Sequence, residues 1–112
     1  EIARKRMMSA IPESDVVVTN PTHYAVALRY DPNEGAAPMV VAKGQNYIAQ
    51  RMREIAAENG VPIVENPPVA RAIYKKVEIG HAIPGDLFRA VAQILASVWA
   101  LSEKRGRAWA RK

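Results

Sequence analysis

The chain has 112 residues, no cysteine and a formal net charge of +5 at pH 7, and its length suits one domain with a single hydrophobic core. Because the chain has no cysteine, a disulfide framework is not expected. A zinc or iron site is not expected either, because His23 and His81 are far apart and no carboxylate cluster accompanies them. No cofactor is predicted. Residues 1–8 carry a net charge of +2 and residues 102–112 a net charge of +4, so the middle of the chain is left at −1, which argues against a nucleic-acid-binding surface.

The first predicted elements are a helix or linker and two strands. Residues 1–10 read as the end of a helix or as a linker, closed by Pro12. Residues 16–19 are continuously apolar and predict a short strand. Residues 24–30 alternate in polarity and size, which predicts a second strand. One predicted face of this strand carries Tyr24, Val26, Leu28 and Tyr30, and the other carries Ala25, Ala27 and Arg29.

A strand–helix–strand unit is predicted next. After a loop, residues 39–42 form a third strand, antiparallel to the second. A helix is predicted over residues 46–59, because apolar side chains recur at helical spacing and Gly60 lies where a C-terminal cap belongs. Residues 61–65 form the fourth strand, and the unit implies a right-handed parallel crossover. Lys43 and Gly44 are interpreted as a plain turn from strand to helix.

Two further helices complete the prediction. Asn66 and Pro67 are typical of a helix start, with asparagine as the N-cap, and this helix is short, ending between Tyr74 and Lys76. The last helix begins near Pro84. Its predicted buried face carries Phe88, Val91, Ala92, Leu95, Val98 and Trp99. The fold class is therefore α/β: a small single domain with a mixed four-stranded sheet and about three to four helices packed around it.

The ends of the chain suggest a membrane neighbourhood. No apolar run approaches the roughly 20 residues that a membrane-spanning helix needs, since the longest, residues 90–101, is interrupted by Gln93. The chain begins without methionine, and we expect it to be a fragment of a longer protein. The basic ends either contact an anionic membrane surface or acidic partners, or they are simply solvated tails.

The most informative feature is the Asn20-Pro21 pair between the first two strands. Asparagine normally degrades when the next backbone nitrogen attacks its side-chain carbonyl, which leaves the chain intact, but Pro21 has no N–H to do so. The remaining route is attack by the Asn20 side-chain nitrogen on its own backbone carbonyl, which breaks the chain. The alternative interpretation is an ordinary turn, because Asn and Pro suit its first two positions.

Thr22 and His23 complete the candidate site. The Thr22 hydroxyl would orient the Asn20 amide or close the turn. His23 is the only nearby group that titrates close to neutrality, so it is either a proton handler or a donor that stabilises the turn. The candidate catalytic set is therefore Asn20, Pro21, Thr22 and His23, and each molecule would cut itself once rather than turn over substrate.

The Asn-Pro string and three further strings together resemble a known family. Residues 20–28 read NPTHYAVAL, residues 40–44 read VVAKG, residues 61–74 run from VP to ENPPVARAIY, and residues 78–92 contain EIGHAIP followed by LFRAVA. In this order they resemble the FlhB/YscU family, the substrate-specificity switch proteins of type III secretion export machines. Residues 24–28 look more like the flagellar branch than the virulence branch.

That resemblance implies a domain plan and a function. Residues 1–12 would be a linker helix from a transmembrane domain in the bacterial inner membrane, residues 13–101 a self-cleaving switch domain on the cytoplasmic side, and residues 102–112 a basic tail. Cleavage between Asn20 and Pro21 would change export from rod and hook substrates to filament substrates. The implied partners are the hook-length control protein, other export-gate components, and export substrates with their chaperones. The alternatives are a virulence homologue with the same mechanism and an uncleaved structural adaptor.

Overall fold

The computed structural model describes residues 2–21 and 23–104. In chain order the elements are α1 (Ile2–Ala10), a short 3₁₀ helix (Ile11–Glu13), β1 (Val16–Asn20), β2 (Tyr24–Arg29), β3 (Met39–Gln45), α2 (Tyr47–Glu58), β4 (Ile63–Glu65), α3 (Pro67–Lys76) and α4 (Gly85–Lys104). None of the helices in these described ranges is both long enough and apolar enough to cross a membrane.

The four strands form one mixed sheet in the order β3-β2-β1-β4. β1 is antiparallel to β2 and parallel to β4, and β2 is antiparallel to β3. β3 and β4 therefore run in the same direction at opposite edges of the sheet, and the connection through α2 passes over both central strands. The predicted α/β class, the mixed four-stranded sheet and the surrounding helices are all confirmed.

Both faces of the sheet are covered, which explains why the central strands are almost wholly apolar. On one face, the larger side chains of β1 and β2, such as Val18, Val26 and Leu28, pack against α3 and α4. On the other face, Val17 and the alanines of β2 pack against α2. Alternation therefore assigns side chains to two cores instead of separating a core from a solvent face. Val26 and Leu28 are both fully buried.

The helix boundaries largely follow the predicted caps. The Asn66 side chain accepts a hydrogen bond from the Val69 N–H at 3.3 Å, and Pro67 is the first residue of α3. α3 ends at Lys76, as predicted. The Lys76 ammonium donates to the carboxylate of Asp86 at the start of α4 over 2.7 Å, and this hydrogen bond holds the pKa of Asp86 below its usual value.

Two sequence-based predictions need correction. β3 continues to Gln45 and pairs with β2 along its length, so Lys43 and Gly44 lie within a strand and not in a turn. Phe88 and Ala92 were predicted on the buried face of α4, but both are exposed, Phe88 by 43%. The buried residues of α4 begin at Val91 and continue through Ile94, Leu95 and Val98; Phe88 lies in the first turn of the helix, before this run, and Ala92 lies to one side of it.

The segment predicted as a linker contributes to the core. Ile11, in the 3₁₀ helix, is fully buried, and Met7 and Met8 of α1 pack against the same cluster. α1 is thus anchored on the α2 side of the sheet. The division of the chain at residues 12 and 101 stays a prediction, and the tail from residue 105 onward lies outside the described residues.

Candidate functional site

The Asn-Pro pair lies in a tight turn between β1 and β2. β1 ends at Asn20, which pairs with Tyr24 at the start of β2. The His23 N–H donates to the Asn20 carbonyl oxygen at 2.8 Å. This bond from the fourth to the first residue is typical of a β-turn, with Asn20 first and Pro21 second. Asn20 and Pro21 are half-buried and His23 is exposed, while Thr22 lies outside the described residues.

The turn bond involves the atom on which self-cleavage would act. Attack on the Asn20 carbonyl carbon converts its oxygen into an oxyanion, and the His23 N–H already donates to that oxygen. A fixed main-chain donor of this kind stabilises developing negative charge more than it stabilises the neutral carbonyl. The sequence singled out His23 because of its imidazole side chain, whereas in the structure its main-chain N–H contacts the Asn20 carbonyl oxygen.

The main chain of His23 is held from both sides. Its carbonyl accepts a hydrogen bond from the Asn46 N–H at 2.9 Å. Asn46 has φ of 53° and ψ of −119°, a conformation that costs a non-glycine residue on the order of 1–3 kcal/mol. It lies between the end of β3 and the start of α2, so the entry of α2 is fastened to the turn.

α2 also supplies a side chain to the turn. The Arg53 guanidinium donates through Nη1 to the Pro21 carbonyl oxygen, and Arg53 is half-buried. Nothing in the sequence singled out this residue. Arg51 and Arg53 both flank the buried Met52, and no pattern tells which arginine reaches another element. The other arginine of this pair, Arg51, forms an ion pair with Glu54 on the same helix, with 3.1 Å between its Nη1 atom and the Glu54 Oε1 atom.

Behind the turn, an aromatic and basic cluster joins β2, β3 and α3. The rings of Tyr24 and Tyr74 lie 4.6 Å apart between centroids, and the Lys43 ammonium is 5.0 Å from the centre of the Tyr74 ring. The Lys43 Nζ atom donates to the carbonyls of Tyr74 and Val77 at 2.9 and 3.0 Å. Lys43 therefore satisfies carbonyls at the carboxyl end of α3, and it does not lie in the turn that the sequence predicted.

The His23 imidazole is exposed at the mouth of the turn, with its ring centroid 6.3 Å from that of Tyr24. Its predicted proton-handling role stays a prediction, as does the role of the Thr22 hydroxyl. Within residues 2–21 and 23–104, no three histidine or acidic side chains come together in a way that would hold a metal ion.

The chain resembles known proteins along nearly its whole length. A family model described as the FlhB HrpN YscU SpaS family matches residues 1–98. The flagellar biosynthetic protein FlhB of Escherichia coli strain K12 is 58% identical over 103 residues, which are 92% of this chain and 27% of that protein. FlhB of Bacillus subtilis strain 168 is 49% identical over 104 residues, 93% of this chain and 29% of the relative. The chain thus spans less than a third of the length of these relatives.

Solved structures match the fold as well. The cytoplasmic domain of FlhB from Shewanella putrefaciens superposes with a TM-score of 0.87 at 48% identity, covering 93% of this chain and 81% of that one. The C-terminal domain of EscU carrying an asparagine-to-alanine substitution gives a TM-score of 0.79 at 33% identity, covering 82% and 92%. The fold is therefore shared with the cytoplasmic domain of FlhB and with the C-terminal domain of EscU. The chain belongs to the FlhB HrpN YscU SpaS family, which confirms the resemblance seen in the sequence.

Proposed function

We propose that this chain is the cytoplasmic part of a flagellar type III export component, that it cuts itself once between Asn20 and Pro21, and that the cut switches export from rod and hook to filament substrates. The observation that carries the proposal is a tight β-turn between two paired strands that places the His23 N–H on the carbonyl oxygen of Asn20, directly before Pro21. The flagellar assignment draws support from the names of its relatives, which are flagellar biosynthetic proteins.

The proposed reaction is an intramolecular displacement. The Asn20 Nδ2 atom attacks the Asn20 carbonyl carbon and forms a new C–N bond, which closes a five-membered imide. The bond from that carbon to the Pro21 nitrogen breaks, and the leaving nitrogen takes up a proton in place of the one that Nδ2 loses. Water then opens the imide. Pro21 becomes the first residue of the second piece.

Several effects must combine, because a carboxamide nitrogen is a weak nucleophile. An acceleration of about a millionfold needs roughly 8 kcal/mol. A main-chain donor on the oxyanion contributes about 3 kcal/mol. Nucleophile and carbonyl belong to one residue in any state of the chain, so the folded turn adds to this by restricting the Asn20 side chain and backbone to geometries close to attack. Strain of about 1–3 kcal/mol at Asn46 is stored next to the same turn.

The chain contains a second Asn-Pro pair, Asn66-Pro67, and the structure distinguishes the two. The Asn66 carbonyl also accepts a main-chain N–H, from Ala70 at 2.9 Å, so an oxyanion donor alone does not select the site. The Asn66 side chain differs, because its carboxamide oxygen caps α3 through the Val69 N–H. That cap holds the carboxamide towards the helix, and we expect no cut between Asn66 and Pro67.

After the cut the two pieces are expected to stay together. β1 lies between β2 and β4, and its residues Val16, Val17 and Val18 are fully buried. Each such side chain contributes roughly 1.5–3 kcal/mol of burial, so residues 1–20 remain bound to residues 21–112. The functional output is a local change at the turn, which the proposed partners would sense.

Family membership supports the proposed setting and partners. The Shewanella putrefaciens structure is a cytoplasmic domain, and we place this chain on the cytoplasmic side of the bacterial inner membrane, with the basic ends near anionic lipid. The proposed partners are the hook-length control protein, other export-gate components, and export substrates with their chaperones. The EscU structures carry substitutions of an asparagine and of the proline directly after it, which supports a role for an Asn-Pro pair in this family.

Denaturing mass spectrometry of the purified chain tests the proposal. We expect two pieces, residues 1–20 and 21–112, that elute as one species from a native sizing column. Their summed mass equals that of the intact chain before the imide opens and exceeds it by one water afterwards. A single intact mass would favour the structural adaptor without cleavage. A second cut after Asn66 would contradict the protective role of its cap.

Replacing His23 by alanine separates its main-chain role from its side-chain role. The variant keeps the N–H that donates to the Asn20 oxygen, so we expect it still to cleave. We expect the rate to fall by about 10²-fold, the lower end for loss of an acid–base group. Time courses of cleavage measure this effect. An unchanged rate would remove the imidazole from the mechanism.

A further inference from the structure

Arg53 contacts the turn, and neither its residue type nor its position in the sequence predicted this contact. Its guanidinium donates to the Pro21 carbonyl oxygen, which is the first carbonyl after the bond that would break. We propose that Arg53 is a positioning residue for cleavage, and that it holds the leaving side of that bond in place. This inference rests on the proposed cleavage between Asn20 and Pro21 and names the group that orients its second half.

The two sides of the bond need different anchors. Asn20 is fixed by its pairing with Tyr24 and by the hydrogen bond from His23 to its carbonyl. Pro21 has no N–H, so no main-chain acceptor can hold its nitrogen. Its ring already locks φ, which leaves ψ as its one soft backbone torsion. A donor on the Pro21 carbonyl fixes that torsion, and the guanidinium of Arg53 provides it.

The frame that carries Arg53 is rigid. α2 packs on the sheet through Ala49, Met52 and Ala56, each at most 1% exposed. The residue before α2, Asn46, donates its N–H to the His23 carbonyl. α2 thus holds the turn at two points, one at its entry and one about two helical turns further along. Only the second point bears on Pro21 itself.

The chemistry of the contact suits a positioning role. A cationic donor makes a stronger hydrogen bond to a carbonyl than a neutral donor does, and the planar guanidinium loses less freedom on bonding than an ammonium would. Misplacing a reacting group by about 1 Å is enough to cost roughly 10²-fold in rate. We therefore expect loss of this single contact to slow cleavage without removing the nucleophile or the oxyanion donor.

The test compares Arg53→Met, Arg53→Lys and Arg51→Met with the wild-type chain. Arg51 is the matched control, since it lies on the same helix, is exposed, and pairs with Glu54. Each chain is made by cell-free synthesis, samples are quenched in denaturant, and the fraction of intact chain is followed by mass spectrometry. We expect Arg53→Met to cleave about 10- to 100-fold more slowly, Arg53→Lys to recover part of the rate, and Arg51→Met to match the wild type.

A second measurement separates positioning from loss of folding. In chains that carry Asn20→Ala, hydrogen exchange at the His23 and Asn46 amides and the thermal unfolding midpoint are recorded with and without Arg53→Met. We expect faster exchange at these two amides in a domain that stays folded at the assay temperature. Cleavage of Arg53→Met at the wild-type rate would overturn the proposal. An uncut wild-type chain would instead overturn the proposed function, and exchange unaffected by Arg53→Met would show that Arg53 does not hold the turn.

Discussion

Asn20→Ala is expected to leave the chain in one piece. The substitution removes the Nδ2 nucleophile and keeps everything else that defines the turn. The main-chain pairing with Tyr24 and the hydrogen bond from His23 to residue 20 do not depend on the side chain. Asn20 is half-buried at a strand end, so its truncation is expected to change the free energy of unfolding little. Denaturing mass spectrometry should show one intact mass in place of two pieces.

The second Asn-Pro pair supplies the matched control. Asn66→Ala removes a helix N-cap, which costs about 1 kcal/mol of stability, and we expect it to leave cleavage after Asn20 complete. The two variants therefore have opposite effects: Asn20→Ala changes covalent state and not stability, whereas Asn66→Ala changes stability and not covalent state. A correctly folded Asn20→Ala protein that is still cut would show that the Asn20 side chain is not the nucleophile.

The same variant tests the proposed switch in cells. If the cut permits the change of export substrate, bacteria that carry Asn20→Ala should export rod and hook proteins and fail to export filament protein. Immunoblots of the culture medium for the two classes measure this directly. Normal filament export from an uncut chain would separate cleavage from switching, and it would leave the self-cleavage reaction itself unaffected.

The sequence predicted the framework of the site better than its contacts. Period-two alternation placed β2, and the Asn20-Pro21 pair marked the turn, because these signals are local in the chain. Arg53 and Asn46 were missed for the opposite reason. They reach the turn only after α2 has packed across the sheet, and neither residue type nor spacing encodes that contact.

The length of β3 and the exposure of Phe88 show how tertiary context overrides local patterns. Lys43 and Gly44 resemble a turn by composition, yet pairing with β2 extends the strand through both. Phe88 has the hydrophobicity of a core residue, but it lies in the first turn of α4, before the first buried residue of that helix, Val91. In both cases the position of the residue in the folded chain decided the outcome.

Gly44→Ala is expected to be the most destabilising single-methyl change near the site. Gly44 is buried in β3 opposite Ala25. A Cβ atom at this position would collide with the Ile48 Cγ2 atom and would lie 2.9 Å from the Ile48 Cβ atom. Rotating the Ile48 side chain leaves its Cβ in place, so the first turn of α2 must move. We expect a loss at the upper end of about 1–3 kcal/mol, the usual cost of overpacking.

Chemical unfolding in an Asn20→Ala background measures this loss on a single covalent chain. Gly85→Ala is the matched control, because a Cβ there meets nothing within 4 Å, and we expect it to be neutral or slightly stabilising. Ile48→Ala combined with Gly44→Ala should recover part of the lost stability, since it removes the colliding methyl group, and the double-mutant cycle gives the coupling. Equal stability of the Gly44→Ala and Gly85→Ala proteins would contradict the close approach.

The displacement of α2 in Gly44→Ala should also reach the turn. Ile48 lies in the turn of α2 that follows Asn46, and the Asn46 N–H holds the His23 carbonyl. In the chain with native Asn20, we therefore expect Gly44→Ala to slow cleavage as well as to weaken the fold, and Ile48→Ala to recover part of both together. Recovery of stability without recovery of the cleavage rate would show that the entry of α2 does not position the turn.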